Sequence, residues 1–224
     1  SIKVQNGPLT SRLQHLQPGD PIIISKKPTG TLVLHDLLPG RNLYLFATGT
    51  GLAPFMSVIQ DPETYERFEK VVLLHGVRYV SELAYSEFIE QALPENEFFG
   101  DEVKNKLVYY PTVTREEFRN QGRVTDLITT GRFFEDTGLP PLDPALDRAM
   151  ICGSPAMLDD TCKMLDARGF KISPHIKHVL DLSLPPEGSW LVSTQSCLHN
   201  TTPISLAISV SAFFLIFSIF LLRS

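Results

Sequence analysis

The sequence predicts an α/β fold, a doubly wound parallel sheet preceded by the closing part of an antiparallel β-barrel. Three observations carry this expectation. From Leu43 onward, short apolar runs alternate with helical stretches, the pattern of strands paired in parallel through helical crossovers. The first 40 residues instead set short strand-like segments between turn signals, as in a barrel. The chemically distinctive motifs follow directly after apolar runs, at the carboxyl ends of strands, where sheets of this kind bind their ligands.

Taken in order, Ser1–Val4 reads as the end of a strand and Asn6-Gly7-Pro8 as a turn. Leu9–Leu13 opens a short helix with hydroxyls at the capping position. Pro18-Gly19-Asp20 turns into the strand Ile22–Ile24, and Pro28-Thr29-Gly30 and Pro39-Gly40 bracket a further short segment. Leu43–Ala47 is then a buried strand, with a Gly-rich turn and a helix through Gln60. Val71–His75 is the second strand, followed by a helix around Glu82–Gln91. Leu107–Pro111 is the third, with a helix from Thr125. Ala149–Cys152 is the fourth, with a helix from Pro155 to about Ala167.

The chain of 224 residues, 43% hydrophobic and 20% charged, is long enough to bury one full core and part of a second. A formal net charge of -5 argues against a nucleic-acid binder, but leaves room for an acidic protein partner, since docking depends on a local patch. Cys152, Cys162 and Cys197 are too few for an iron–sulfur cluster held by four thiolates. The six histidines show no zinc-ligand spacing.

Four motifs carry chemistry. In Thr48-Gly49-Thr50-Gly51-Leu52-Ala53-Pro54, glycines between a strand and a helix allow the backbone to approach a dinucleotide pyrophosphate, and Pro54 suits the first helical turn. The same turn also reads as a tight connection in any α/β protein. In Thr112-Val113-Thr114-Arg115, with Arg119 and Gln121-Gly122-Arg123 beyond, Arg115 and Arg123 lie eight positions apart. Two guanidinium groups so placed can converge on the phosphate that distinguishes NADP from NAD; a solvated basic loop is the other reading. In Cys152-Gly153-Ser154-Pro155, a small thiol leaves room for a flat ring, Gly153 permits close approach and Ser154 caps a helix, whereas a structural cysteine needs none of this. In Gly7-Pro8-Leu9-Thr10-Ser11, a hydroxyl-rich helix start can hold a second pyrophosphate or merely cap its helix.

In this order and at these spacings, the set resembles the plant-type ferredoxin reductase superfamily, and within it the bacterial-type ferredoxin–NADP(+) reductases. The resemblance runs from Ser1 to about Pro174 and includes Asn6–Leu13, Ala47–Phe55, His75-Gly76-Val77-Arg78, Val113-Thr114-Arg115, Gly122-Arg123 and Ile151–Pro155. It implies a partial FAD-binding barrel over residues 1–40, an NADP-binding domain over 41–178 and an atypical tail over 179–224. Pro8, Leu9 and Thr10 match the contacts to the flavin pyrophosphate, and Thr50 matches a residue touching flavin or nicotinamide. Arg78, Thr114, Arg115 and Arg123 match the NADP-binding set, with Arg115 and Arg123 on the 2′-phosphate. Cys152 matches the cysteine beside the nicotinamide. Cys152 and Thr50 are thereby the candidate catalytic residues, and Thr48, Gly49, Gly51, Gly153 and Ser154 complete the cofactor-binding set. The implied cofactors are FAD and NADP, and the implied reaction is hydride exchange between them with single electrons passing to or from ferredoxin or flavodoxin.

Two departures qualify this expectation. The family's flavin motif Arg-x-Tyr-Ser would lie upstream of Ser1, and its C-terminal strand is replaced after Pro174 by unrelated sequence. Read so, the chain is N-terminally truncated, lacks an edge strand of the second sheet and holds FAD weakly or not at all, while NADP binding survives. The uncharged run 204–222 is about long enough for one membrane-spanning helix, which needs roughly 20 residues. It reads either as a single C-terminal anchor or as the product of a shifted frame; a cytoplasmic protein is the expectation, a membrane-anchored one the alternative. A general NAD(P)H–flavin or oxygenase reductase and a non-enzymatic NADP-binding remnant are the competing functions.

Overall fold

The computed structural model describes Arg12 and residues 15–22, 32–172 and 189–192. Most of the expected barrel fragment, including Pro8, Leu9 and Thr10, lies outside these residues, as does the apolar run 204–222. Among the described residues no helix is long and apolar enough to cross a membrane.

At the centre is a parallel sheet in which β1 (Asn42–Thr48) pairs with β2 (Lys70–Val77) on one side and β4 (Asp147–Cys152) on the other, with β3 (Leu107–Val113) beyond β2. β1 and β4 are buried along almost their whole length, as expected of strands covered on both faces. Side chains alternate between two cores. Leu43, Leu45, Val71, Leu73 and Met150 point to the side of α1 (Leu52–Val58) and α2 (Pro62–Arg67). Tyr44, Phe46, Val72, Leu74 and Ile151 point to the side of α4 (Val124–Thr129), α5 (Arg132–Thr137) and α6 (Pro155–Asp166). Each such aliphatic or aromatic side chain, fully buried, contributes about 1.5–3 kcal/mol of transfer free energy.

The four expected strands form where the apolar runs place them. The helix expected through Gln60 forms as α1, and beyond it Pro62 opens a second, unforeseen helix under an Asp61 cap that accepts from the Glu63 amide at 3.0 Å. The single helix expected around Glu82–Gln91 does not form. A 3₁₀ turn at Val80–Glu82 is followed by Tyr85 with φ of 61°, which no right-handed helix accommodates, and then by one π turn at Phe88–Ala92. A helix not foreseen, α3 (Gly100–Lys106), leads into β3.

The expected loss of an edge strand is corrected. β5 (Lys171–Ile172) and β6 (Ser189–Val192) extend the sheet to the order β3-β2-β1-β4-β6-β5. β6 pairs in parallel with β4 at Ala149↔Trp190, Met150↔Leu191 and Ile151↔Val192. The physical reason is that the free edge of β4 carries backbone donors and acceptors needing partners. Residues 189–192 supply them, so the sheet reaches past residue 178, where the second domain was expected to end. At the other boundary Leu34 and Leu37, assigned by sequence to the barrel part, are buried in the α1-side core.

Candidate functional site

Parallel pairing in register brings the carboxyl ends of β1 to β4 to one edge of the sheet. Ala47 lies opposite both His75 and Cys152, Thr48 opposite Gly76, and Gly76 opposite Thr112. The motifs that follow these strands are therefore neighbours on one edge, although Thr48 and Ser154 stand 106 positions apart in the chain.

The two small-residue bends touch. A Cβ added to Gly51 would stand 1.9 Å from the Cys152 carbonyl oxygen and 2.8 Å from the Gly153 nitrogen, so backbone packs on backbone. A Cβ on Gly153 would stand 2.2 Å from Thr48 Oγ1. The Ser154 amide donates to that same hydroxyl at 3.4 Å, and the Ser154 hydroxyl accepts from the Met157 amide, capping the twelve-residue α6. Gly49 adopts φ of +52° and leaves open space around its Cα, while Thr50 is exposed. The two bends thus meet through backbone and small side chains. Cys152 is 3% exposed and packs in the same core as Leu52 and Phe55.

Beyond β2 and β3 the pairing continues past the strands. The Thr114 amide donates to Val77 O at 3.1 Å and the Arg115 amide to Arg78 O at 2.9 Å, which sets Arg78 and Arg115 side by side. The loop after Arg115 then turns back onto β3. Val113 donates to Asn120 O and accepts from the Gly122 amide, with Gly122 at φ of +135°. That return delivers Arg123 to the start of α4. Arg123 reaches Asp160 of α6 at 3.6 Å, so the third strand's loop leans toward the helix that follows the fourth. Backbone pairing thus makes Arg78, Thr114 and Arg115 neighbours, and Arg123 stands at the start of the helix that follows the same loop.

The arginines differ in their partners. Arg78 grips Glu82, with Nη2–Oε1 at 2.6 Å and the Arg78 amide on the other carboxylate oxygen at 3.0 Å; this pairing raises the arginine pKa and lowers that of the glutamate. Arg119 turns away, ion-paired with Glu90 and lying 5.6 Å above the Phe118 ring centre. Arg115 is exposed and has no ion pair among the described residues.

Sequence reasoning attached no role to four residues that shape this edge. Gly76 lies under Thr48, within 3.3 Å of its methyl group if a Cβ were present. Thr112 is fully buried and its hydroxyl has no hydrogen-bond partner among the described residues. Glu82 and Asp160 hold two of the arginines. The signal for Gly76 was its place two residues before Arg78 at a strand end, and Glu82 stood four residues beyond that arginine. Burial lowers the His75 pKa to about 4, and its Nδ1 lies 3.1 Å from the hydroxyl of Tyr109, which packs against the α1-side core.

Residues 45–163 match the family model of an oxidoreductase NAD-binding domain. The chain is similar to a ferredoxin–NADP reductase of Azotobacter vinelandii, 69% identical over 176 residues that make up 79% of this chain and 68% of the relative. It is 51% identical over 171 residues to a flavodoxin/ferredoxin–NADP reductase of Rhodobacter capsulatus, covering 76% of this chain and 63% of that one. A crystal structure of a ferredoxin NADP+ reductase from Neisseria gonorrhoeae with bound FAD and NADP superimposes with a TM-score of 0.68 at 27% identity, over 85% of this chain and 70% of the other.

Proposed function

Because the chain belongs to the ferredoxin–NADP reductase family, we propose that its strand-end groove binds NADP(H) and that the protein works as a flavin-dependent oxidoreductase. It exchanges hydride between NADP(H) and FAD, and single electrons with ferredoxin or flavodoxin, in the cytoplasm. The carrying observation is the packing of the Gly51 bend against the Cys152–Gly153 backbone, which holds the motifs after β1 and β4 together at one edge of the sheet.

Within that groove Thr48, Gly49 and Gly51 face the pyrophosphate with backbone and hydroxyl donors, and Gly153 and Ser154 border the ring end. Arg115 and Arg123 take the 2′-phosphate, with Thr114 beside them, and Arg78 takes a further phosphate charge after exchanging Glu82 for it. Thr50 and Cys152 stand at the reacting end: Thr50 is exposed to a bound ring, and Cys152 is small and buried enough to back it without crowding. Bound FAD supplies the two-electron to one-electron conversion that no side chain can perform. Thr50 is the described residue assigned to it, and Pro8, Leu9 and Thr10 complete its proposed set. The protein's own contribution is alignment and the exclusion of water from the groove. Residues 1–40 are read as the flavin-side part, 41–178 together with β6 as the nucleotide domain.

Purified chain with FAD kept in the buffer tests this directly. The flavin, absorbing between about 350 and 500 nm, is expected to bleach when NADPH is added without oxygen, at a rate that rises with protein concentration. A chain that binds NADP+ yet never bleaches the flavin is the non-enzymatic remnant instead.

A further inference from the structure

At the opposite end of β4 from the groove, Arg148 is buried, 7% exposed, and forms no ion pair among the described residues, with the Asp147 charge nearby. Its guanidinium is spent on backbone carbonyls. Nε donates to Leu38 O at 3.2 Å, Nη2 to Pro39 O, and Nη1 to Pro144 O at 3.1 Å and Asp147 O at 2.6 Å. Leu38 and Pro39 belong to the segment that leads into β1. The neighbours of that segment are held as firmly. Leu37 O accepts from Arg67 Nη2 at 3.1 Å, the Arg41 amide donates to Leu146 O, and Arg41 O accepts from the Glu69 amide at 2.8 Å. Leu37 itself is buried, 4% exposed. A Cβ on Gly40 would lie 2.7 Å from Arg148 Cγ and 3.0 Å from Leu146 O, so the segment passes over the arginine stem with no room to spare.

A connection between domains is ordinarily exposed and compliant, with few contacts crossing it. This one has its carbonyls and buried side chain taken by the base of the sheet. A buried guanidinium is costly unless its donors are satisfied, and here half of the satisfaction comes from the connection itself. Resting on the functional reading above, we propose that Arg148 is a positioning residue, which clasps residues 37–41 to the base of the nucleotide domain and so fixes the approach of the flavin-side part to the nicotinamide groove. Hydride transfer tolerates little misalignment, since a displacement of about 1 Å costs on the order of a hundredfold in rate. A joint with one conformation meets that demand where a hinge does not.

The test uses the full chain with FAD added, comparing wild type with Arg148→Lys and Arg148→Met. Lysine keeps the charge but lacks the planar fork that spans diverging carbonyls. In Arg148→Lys the hydrogen-bonded amides of Leu37 and Arg41 are expected to exchange about tenfold faster, with NADP+ dissociation constant within about twofold of wild type because the groove lies at the far end of the strand. The kcat for flavin reduction by NADPH falls about tenfold or more while KM stays. Exchange at Leu37 and Arg41 equal to wild type overturns the clasp, and an opened clasp with unchanged kcat overturns its positioning role. Loss of NADP+ binding in the lysine variant also overturns it, by making Arg148 a residue of general stability; Arg148→Met failing to fold does not enter that judgement. A wild-type chain with no bleachable flavin fails the functional reading and the positioning role together, whereas the exchange comparison still reports on the clasp.

Discussion

Gly51→Ala is expected to destabilise the protein by about 3 kcal/mol and to weaken NADP+ by about tenfold or more. The reason is space rather than backbone freedom. Gly51 has φ of -60° and ψ of -11°, a conformation open to any residue. Its added Cβ, however, would meet Cys152 O at 1.9 Å and Cys152 C at 2.4 Å. Those atoms are main chain of a central strand paired on both sides, and they cannot swing away as the tip of a flexible side chain can. The bends after β1 and β4 must part, which widens the groove where the dinucleotide backbone is to lie. Gly49→Ala is the internal control. Gly49 sits at φ of +52° with nothing within 4 Å of the point an alanine methyl would occupy, so alanine there incurs only the left-handed penalty of about 1–2 kcal/mol. Urea denaturation and NADP+ titration of both variants check the pair. Wild-type stability and affinity in Gly51→Ala would mean that the two bends do not touch.

Arg115→Ala is expected to weaken NADPH by about 10- to 100-fold and NADH hardly at all, the loss of a charge-assisted contact worth about 1.5–3 kcal/mol. Arg115 is the natural choice for this test because its side chain has no ion pair among the described residues, whereas Arg78 and Arg123 are already engaged with Glu82 and Asp160. Removing Arg115 strands no described carboxylate, so the measured change is the ligand's. The two nucleotides differ by the one phosphate, which makes the ratio of their dissociation constants insensitive to any general loosening of the loop. Raised salt is expected to shrink the preference in wild type more than in the variant, since exposed charges are screened within about 8–10 Å at physiological ionic strength. Equal losses for NADPH and NADH would remove Arg115 from the 2′-phosphate.

The strands were legible because a strand buried on both faces is written as an uninterrupted apolar run, and Leu43–Ala47 and Ala149–Cys152 are such runs. The site was legible for a related reason. Strand ends in a parallel sheet share one edge, so motifs placed after strands become neighbours without any long-range information. The segment between β2 and β3 was not legible. Its apolar residues Ile89 and Leu93 have helical spacing, and nothing in that pattern announces Tyr85 in a left-handed conformation or the 3₁₀ and π turns around it. Nor was the pairing of β6 foreseen, because Ser189–Val192 is only four residues long and its partner strand was complete without it. Arg148 was missed for a different cause: a buried arginine serving carbonyls has no sequence signature, since its partners are backbone atoms that every residue possesses.

One dinucleotide spanning four strand ends is best tested by a hydrogen-exchange footprint of NADP+ on the wild-type chain. Protection is expected in the segments 48–54, 76–78, 112–123 and 152–157 together, each rising along the same saturation curve with a single dissociation constant. Protection confined to the arginine loop, or two segments saturating at different concentrations, would show separate anion sites and contradict a shared groove.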